Sequence, residues 1–336
     1  MTAAMPNVDW RWAERTGHRL VRVGPEASDD EKRELVADLR ECARRAPALV
    51  AAAAGLERTG TADERVVDRL GWISANVDIA RTVMRRLDAQ EPDGAGERAA
   101  AKVVGAQLGA AFAFLGTRIL GQYDPFSDAP SLMLVAPNVM HVERELHLVP
   151  HDFRMWVCLH EQTHRVQFAT APWLADHVLD LARQAIDAEE ESGDTSAAMV
   201  GRIIEHARGR GTNSLLEAVS APAAQRALGQ VTAVMSLLEG HADVMMDRAG
   251  PSEIATLGVI RARFDKRRAR GGLSATFGKL MGMDVKLAQY RDGAAFCRHV
   301  IDRIGVEGLN LAFERPGHLP GVEELHDPQA WVDRMG

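Results

Sequence analysis

The sequence predicts a mainly α, α+β fold in which helices dominate and a small β-sheet sits in the middle of the chain. Three observations carry that expectation. Long stretches repeat apolar residues at three- and four-residue steps, the period of an amphipathic helix. Strand-like segments are scarce and short, the best being residues 131–135 and 146–149. At 336 residues, with 46% hydrophobic and 26% charged residues, the chain can bury a substantial core and has ordinary globular composition.

The elements follow in order. Residues 29–54 read as an Ala- and Leu-rich helix starting near Ser28, and residues 62–88 as a second. Glu91-Pro92-Asp93-Gly94-Ala95-Gly96 reads as a linker. It separates an N-terminal helical region, 1–95, from a larger region, 96–336, the two expected to pack as one unit. A helix over 97–120 should end at Gly121. It is the most apolar segment, but Lys102, Gln107 and Arg118 interrupt it. Its apolar core falls short of the roughly 20 residues that span a bilayer, so it reads as a buried helix. The two strand candidates come next. Asp152 can then cap a helix start, with Phe153, Trp156 and Val157 at helical spacing and Pro172 as the stop. Residues 188–213 are polar and glycine-rich, an exposed connection. A helix is expected over about 221–248, with Pro222 in its first turn. Further helices are expected at 252–267 and 291–304, and an irregular tail at 316–321.

Composition excludes several roles. The net charge of −7 offers no broad basic field to nucleic acid. Cys42, Cys158 and Cys297 are too few and too scattered for a disulfide framework, which fits a reducing cytoplasm. Residues 1–12 lack a basic start followed by an apolar stretch, so no secretory signal is expected, and no membrane partner. The oligomeric state is not legible.

Residues 160–164 carry the chemistry: His160-Glu161-Gln162-Thr163-His164, the H-E-x-x-H pattern of zinc hydrolases. Residues four apart on a helix return to within roughly 40° of each other, so two imidazoles can grip one ion. Glu161 sits one step round, in reach of a water on that ion. With 12 histidines in the chain, a chance match is expected on the order of a few hundredths of a time. The competing reading is two core histidines satisfied by hydrogen bonds.

Catalytic zinc takes three protein ligands and leaves one position for water. One H-E-x-x-H class supplies a third histidine six residues after the second, with a glycine between. Gln167 and Thr170 stand there instead, so the third ligand must lie farther on. Glu239 is the best candidate. It lies in the apolar run from Val234 to Met246, where a carboxylate is costly to bury without a partner. A buried glutamate paired with an arginine is the bland reading. Asp243, one turn on, can accept a hydrogen bond from the outer nitrogen of a ligand histidine. His241 competes as a ligand, but it lies about 200° round the helix from Glu239; it can equally be a supporting group, a substrate contact or a core histidine.

The spacing of Glu239 and Asp243 resembles the second motif of the glutamate-ligand zincins. Other phrases extend the resemblance. They include Val67-Asp68-Arg69, Trp72-Ile73-Ser74-Ala75-Asn76, Leu120-Gly121-Gln122-Tyr123-Asp124, Pro137-Asn138 and Asp152-Phe153-Arg154. They continue with Leu159 to Arg165, Pro172-Trp173-Leu174, Leu238 to Asp243 and Gln289-Tyr290-Arg291-Asp292-Gly293. From about Trp10 to Trp331 the chain is similar to an uncharacterised family of zincin-like metallopeptidases, some of them associated by genomic company with deazaflavin-coenzyme biosynthesis. The resemblance implies a zincin-like fold, with 96–336 the metal-binding region, and a Zn2+ cofactor. It suggests Glu239 as third ligand and Asp243 as orienting carboxylate. It also suggests strand 131–135 as an edge on which a peptide substrate pairs.

The expected activity is hydrolysis of an amide bond in a peptide or a small amide. His160, His164 and Glu239 hold the metal and Glu161 is the general base. His241, Tyr290, Arg291 and His318 are possible oxyanion donors or substrate contacts. The contrasting expectation is a catalytically silent zincin-fold binding or scaffold protein whose zinc is structural or vestigial.

Overall fold

The structure, a computed structural model, describes residues 7–87, 94–192, 219, 221–269 and 287–336; of these, the side chains of 267–269 and 287–291 are left aside. The chain is mostly helical around one small mixed sheet, as its sequence predicts.

Helix α1 (Trp10–Leu20) opens the described chain, capped by Asp9. It had no sequence expectation. Helix α2 (Asp29–Ala54) starts at Ser28, whose hydroxyl and backbone share a capping box with Glu31, and stops at the left-handed Gly55. The expected helix over 62–88 divides in two. Strand β1 (Asp63–Val67) comes first, and Asp68 then caps helix α3 (Arg69–Arg86) by accepting from the Gly71 amide. The reason lies in Val66 and Val67, which are β-branched and pair in parallel with a strand far along the chain.

Helix α4 (Ala95–Gly116) ends sooner than expected and gives way to strand β2 (Gly121–Asp124). All 22 of its residues are helical, and by length and composition it could cross a membrane, contrary to the sequence expectation. It packs along α1 and α3.

Strand β3 (Ser131–Val135) runs straight into helix α5 (Ala136–Glu145), with Pro137 in its first turn. The sheet order is β1-β3-β2, with β1 parallel and β2 antiparallel to β3. Strand β3 is therefore central and buried throughout, and has no free edge. This corrects the expectation that 131–135 receives a peptide. Residues 146–149 are not a strand either. They form the end of α5 and the approach to Pro150, with Leu148 donating its amide to the Glu143 carbonyl and His147 at φ 49°. Pro150 at a helix start leaves the apolar run too short to pair.

Helix α6 (Pro150–Thr170) carries the motif. It begins before Asp152, so that residue is not its cap. The Asp152 carboxylate instead accepts from the amide and hydroxyl of Thr256. Helix α7 (Leu174–Glu191) follows, so residues 188–191 are helical; most of the expected 188–213 connection lies outside the described residues. Helix α8 (Pro222–Ala249) matches its expectation, with Pro222 at its start. Helix α9 (Leu257–Ala269) begins later than expected. Helix α10 (Leu287–Asn310) is longer, and bends at Gly305, φ 78°. The tail contains helices α11 (Val322–His326) and α12 (Pro328–Met335), with a short 3-10 turn at Pro316–His318.

Three apolar clusters fix the site's position. One joins α2, β3, α5 and α6 through Leu39, Leu132, Phe153 and Leu159. A second joins α8, α10 and the tail through Leu237, Phe296 and Trp331. A third seats α1, α3 and the sheet around Trp72 and Ile73. Helix α6 lies between α2 on one side and α8 on the other. That sandwich brings residues 160–164 opposite residue 239.

Candidate metal centre

Helix α6 holds the motif rigidly because Gln162, Thr163 and Arg165 are bonded to its surroundings. Gln162 donates to the Ala43 carbonyl (3.0 Å) and to Glu64 (2.9 Å), tying α6 to α2 and β1. Thr163 returns its hydroxyl to the Leu159 carbonyl. Arg165 reaches the Thr59 and Gly60 carbonyls and pairs with Glu64. With those residues buried or bound, His160 and His164 can face only towards α8.

Glu239 meets them there. It is buried between Leu238 and Gly240 on α8. Gly240 is required at this point. A Cβ on it would strike the backbone of Gly293 on α10, and a Cβ on Gly293 would strike the Ser236 carbonyl. The glycine pair lets α10 press on α8 one residue beyond Glu239, which fixes the helix that presents the carboxylate.

The three side chains form a small triangle. His160 Nε2 lies 3.4 Å from Glu239 Oε2, His164 Nε2 lies 3.6 Å from Glu239 Oε1, and the two Nε2 atoms are 3.3 Å apart. Ligand atoms about 2.0–2.1 Å from a tetrahedral zinc stand about 3.3 Å from one another. Size and donor set both fit one such ion, so the three residues form a candidate metal site.

Outer contacts turn these nitrogens inward. His164 Nδ1 bonds Gln167 Oε1 at 2.9 Å, while the Gln167 amide nitrogen donates to the Leu238 carbonyl and lies 3.0 Å from His241 Nδ1. His160 Nδ1 lies 3.3 Å from Met246 Sδ. The expected orienting residue, Asp243, is placed differently. Its carboxylate engages Arg261 and Arg298, the second at 3.0 Å. The spacing 239/243 puts both acids on one face of α8, but the neighbours of Asp243 come from α9 and α10, which no helical period reveals.

Glu161 is buried against the sheet. Gly121 opens β2 at this point, and a Cβ there would lie 2.5 Å from Glu161 Cγ and 2.8 Å from Oε1. Burial raises the Glu161 pKa to about 7; His160 opposes that rise and Glu239 adds to it. Burial is the largest influence on His160 and lowers it, but Glu239, Glu161 and Asp243 together outweigh it and lift His160 to about 8. His164 is lowered, chiefly by burial.

The other candidate contacts scatter. His241 is fully buried behind His164, edge-on to Phe313, and burial lowers its pKa to about 3, so it is neutral. Its position is that of a supporting group. His318 bonds the Leu311 carbonyl and accepts from Arg315, within the tail. Tyr290 and Arg291 lie on α10, but their side chains are outside the described residues. Sequence reasoning passed over Gln167, Met246 and Gly121. Gln167 stands three residues after His164, a spacing that places both on one helix face, and that signal was available.

A helical scaffold, a small sheet beside the motif helix, and two histidines facing a glutamate from a second helix define a zincin-like protein. Over residues 8–332 the chain matches the pattern of the zincin-like metallopeptidases, and it belongs to that family. It is also similar to a solved structure described as "a putative hydrolase with a novel fold from Chloroflexus aurantiacus". The two share 27% sequence identity and a TM-score of 0.72, over 98% of each chain. No functionally curated protein matches.

Proposed function

We propose that the protein is a zinc-dependent hydrolase, a metallopeptidase, that cleaves an amide bond with Glu161 as general base. The carrying observation is the triangle of His160, His164 and Glu239, of zinc dimensions, with a buried, pKa-raised carboxylate beside it. Zinc, when bound, would supply a Lewis acid that polarises the scissile carbonyl and acidifies water towards a pKa of about 7. Glu161, buried beside the triangle, would take a proton from the attacking water and return it to the leaving amine. Its burial keeps bulk water from competing for that proton.

The substrate is an extended peptide lying along β2. This strand is an edge of the sheet, and Gly121 sets it directly against Glu161. Main-chain pairing would supply affinity there without demanding a sequence. The reduced, buried state of Cys42, Cys158 and Cys297 fits a cytoplasmic setting.

Two variants test the reading. Glu161→Gln should retain one equivalent of zinc at this site and lose turnover of a peptide library by about 10²–10⁴-fold. Glu239→Ala should lose the zinc. A Glu239→Ala protein with unaltered zinc affinity would remove Glu239 from the ligand set, and full turnover by Glu161→Gln would remove the general base.

A further inference from the structure

Helix α6 touches a second cluster of metal-ligating side chains, near its start and away from the triangle. Asp38 and Cys42 lie four residues apart on α2, hence on one face. His151, the second residue of α6, meets them. His151 Nδ1 is 2.7 Å from Asp38 Oδ1, and Cys42 Sγ is 3.8 Å from Asp38 Oδ1 and 3.9 Å from His151 Nδ1. All three ligating atoms fall within 4.8 Å of one another. We propose that Asp38, Cys42 and His151 form a second transition-metal site, of the zinc class, that clips α2 to the start of the motif helix.

Size and chemistry both support this. An ion about 2.0–2.1 Å from nitrogen and oxygen and about 2.3 Å from sulfur can touch all three atoms once the 2.7 Å His151–Asp38 hydrogen bond opens towards about 3.3 Å, with one position left for water. Thiolate with imidazole selects zinc or cobalt over magnesium or calcium, which prefer all-oxygen shells. The carboxylate is already oriented. Asp38 presents Oδ1 to the cluster, while its Oδ2 accepts from Arg154 at 3.0 Å. Arg154 is itself buried and held by both oxygens of Glu143, at 3.1 and 3.0 Å. Glu143 neutralises Arg154, so a dication would meet the charges of Asp38 and Cys42 with little opposition. Such outer support is the usual companion of a ligating carboxylate. An ordinary His151–Asp38 ion pair would need neither the sulfur nor this support. The side chain of His151 is 47% exposed and that of Asp38 is 20% exposed, so an ion can enter from that side.

Cobalt(II) separates this site from the other, because the His160, His164, Glu239 set contains no sulfur. Full-length protein loaded with cobalt should bind two equivalents and show a near-ultraviolet thiolate-to-cobalt charge-transfer band. His160→Ala/His164→Ala should keep the band and bind one equivalent. Cys42→Ala should abolish the band, whereas Cys158→Ala, which removes the neighbouring buried thiol, should keep it. His151→Ala, a change at a half-exposed position that preserves the core, should weaken the band-forming site by at least about tenfold. A band that is absent from the native protein, or that survives Cys42→Ala, overturns the proposal. Neither result bears on the hydrolytic reading, whose failure would appear as lost sulfur-free metal with the band intact.

Discussion

Burial gives Glu161 an electrostatic cost. In the metal-free protein its folded pKa is about 7 against an ordinary 4.5. Between those values the unfolded chain gives up a proton that the folded one keeps, so stability falls as pH rises through that window. Glu161→Gln removes the penalty. Metal-free Glu161→Gln should therefore melt above the parent at pH 8 by the equivalent of about 3 kcal/mol, and no higher than the parent at pH 4.5. Thermal melts across that range decide it. His160 works in the opposite sense. Its folded pKa, raised to about 8, stabilises the metal-free protein below pH 6.5, and that contribution is lost as pH rises through 8. Zinc must displace this proton, so zinc affinity measured by chelator competition should climb with pH and level off above about 8. Gln167→Leu should weaken zinc by about 10–100-fold, because His164 loses the acceptor that fixes its Nδ1.

At the scale of elements, the site depends on two close backbone approaches. Gly293→Ala would drive a methyl into the Ser236 carbonyl and separate α10 from α8. We expect a loss of about 1–3 kcal/mol in denaturant melts, with weaker zinc binding because Glu239 moves with α8. Gly121→Ala differs, since its methyl meets the Glu161 side chain, Cγ first, and no backbone atom. Stability and zinc should hold while kcat falls, and a single kinetic comparison with the parent separates the two cases. Helix-length patterns were legible because α2 and α8 repeat their apolar residues over several turns. The sheet was less so. Strand β1 begins Asp63-Glu64-Arg65, and only pairing with residues 131–135, far along the chain, makes it a strand. The 146–149 run has strand composition but is consumed by the turn before Pro150.

For the whole molecule, the motif and Glu239 were readable because each is a local anomaly: two histidines at helical spacing, one acid in an apolar run. The partners of Asp243 were not, since they depend on how α9 and α10 cross α8. A metal that joins α6 to α8 also joins the two principal clusters of the core. Zinc at 100 times its dissociation constant should add about 2.7 kcal/mol to unfolding, and a chelator should remove it. Calorimetry with and without zinc provides the check.

Every residue of α6 from Asp152 to Leu159 is buried. The motif therefore continues directly from an eight-residue buried run of the same helix, with no loop to carry it. Amide protons from Trp156 to His164 should accordingly exchange with deuterium only when the entire protein opens. On this basis α6 would act as a fixed anvil in the proposed hydrolysis, and any closing movement would have to come from what approaches it.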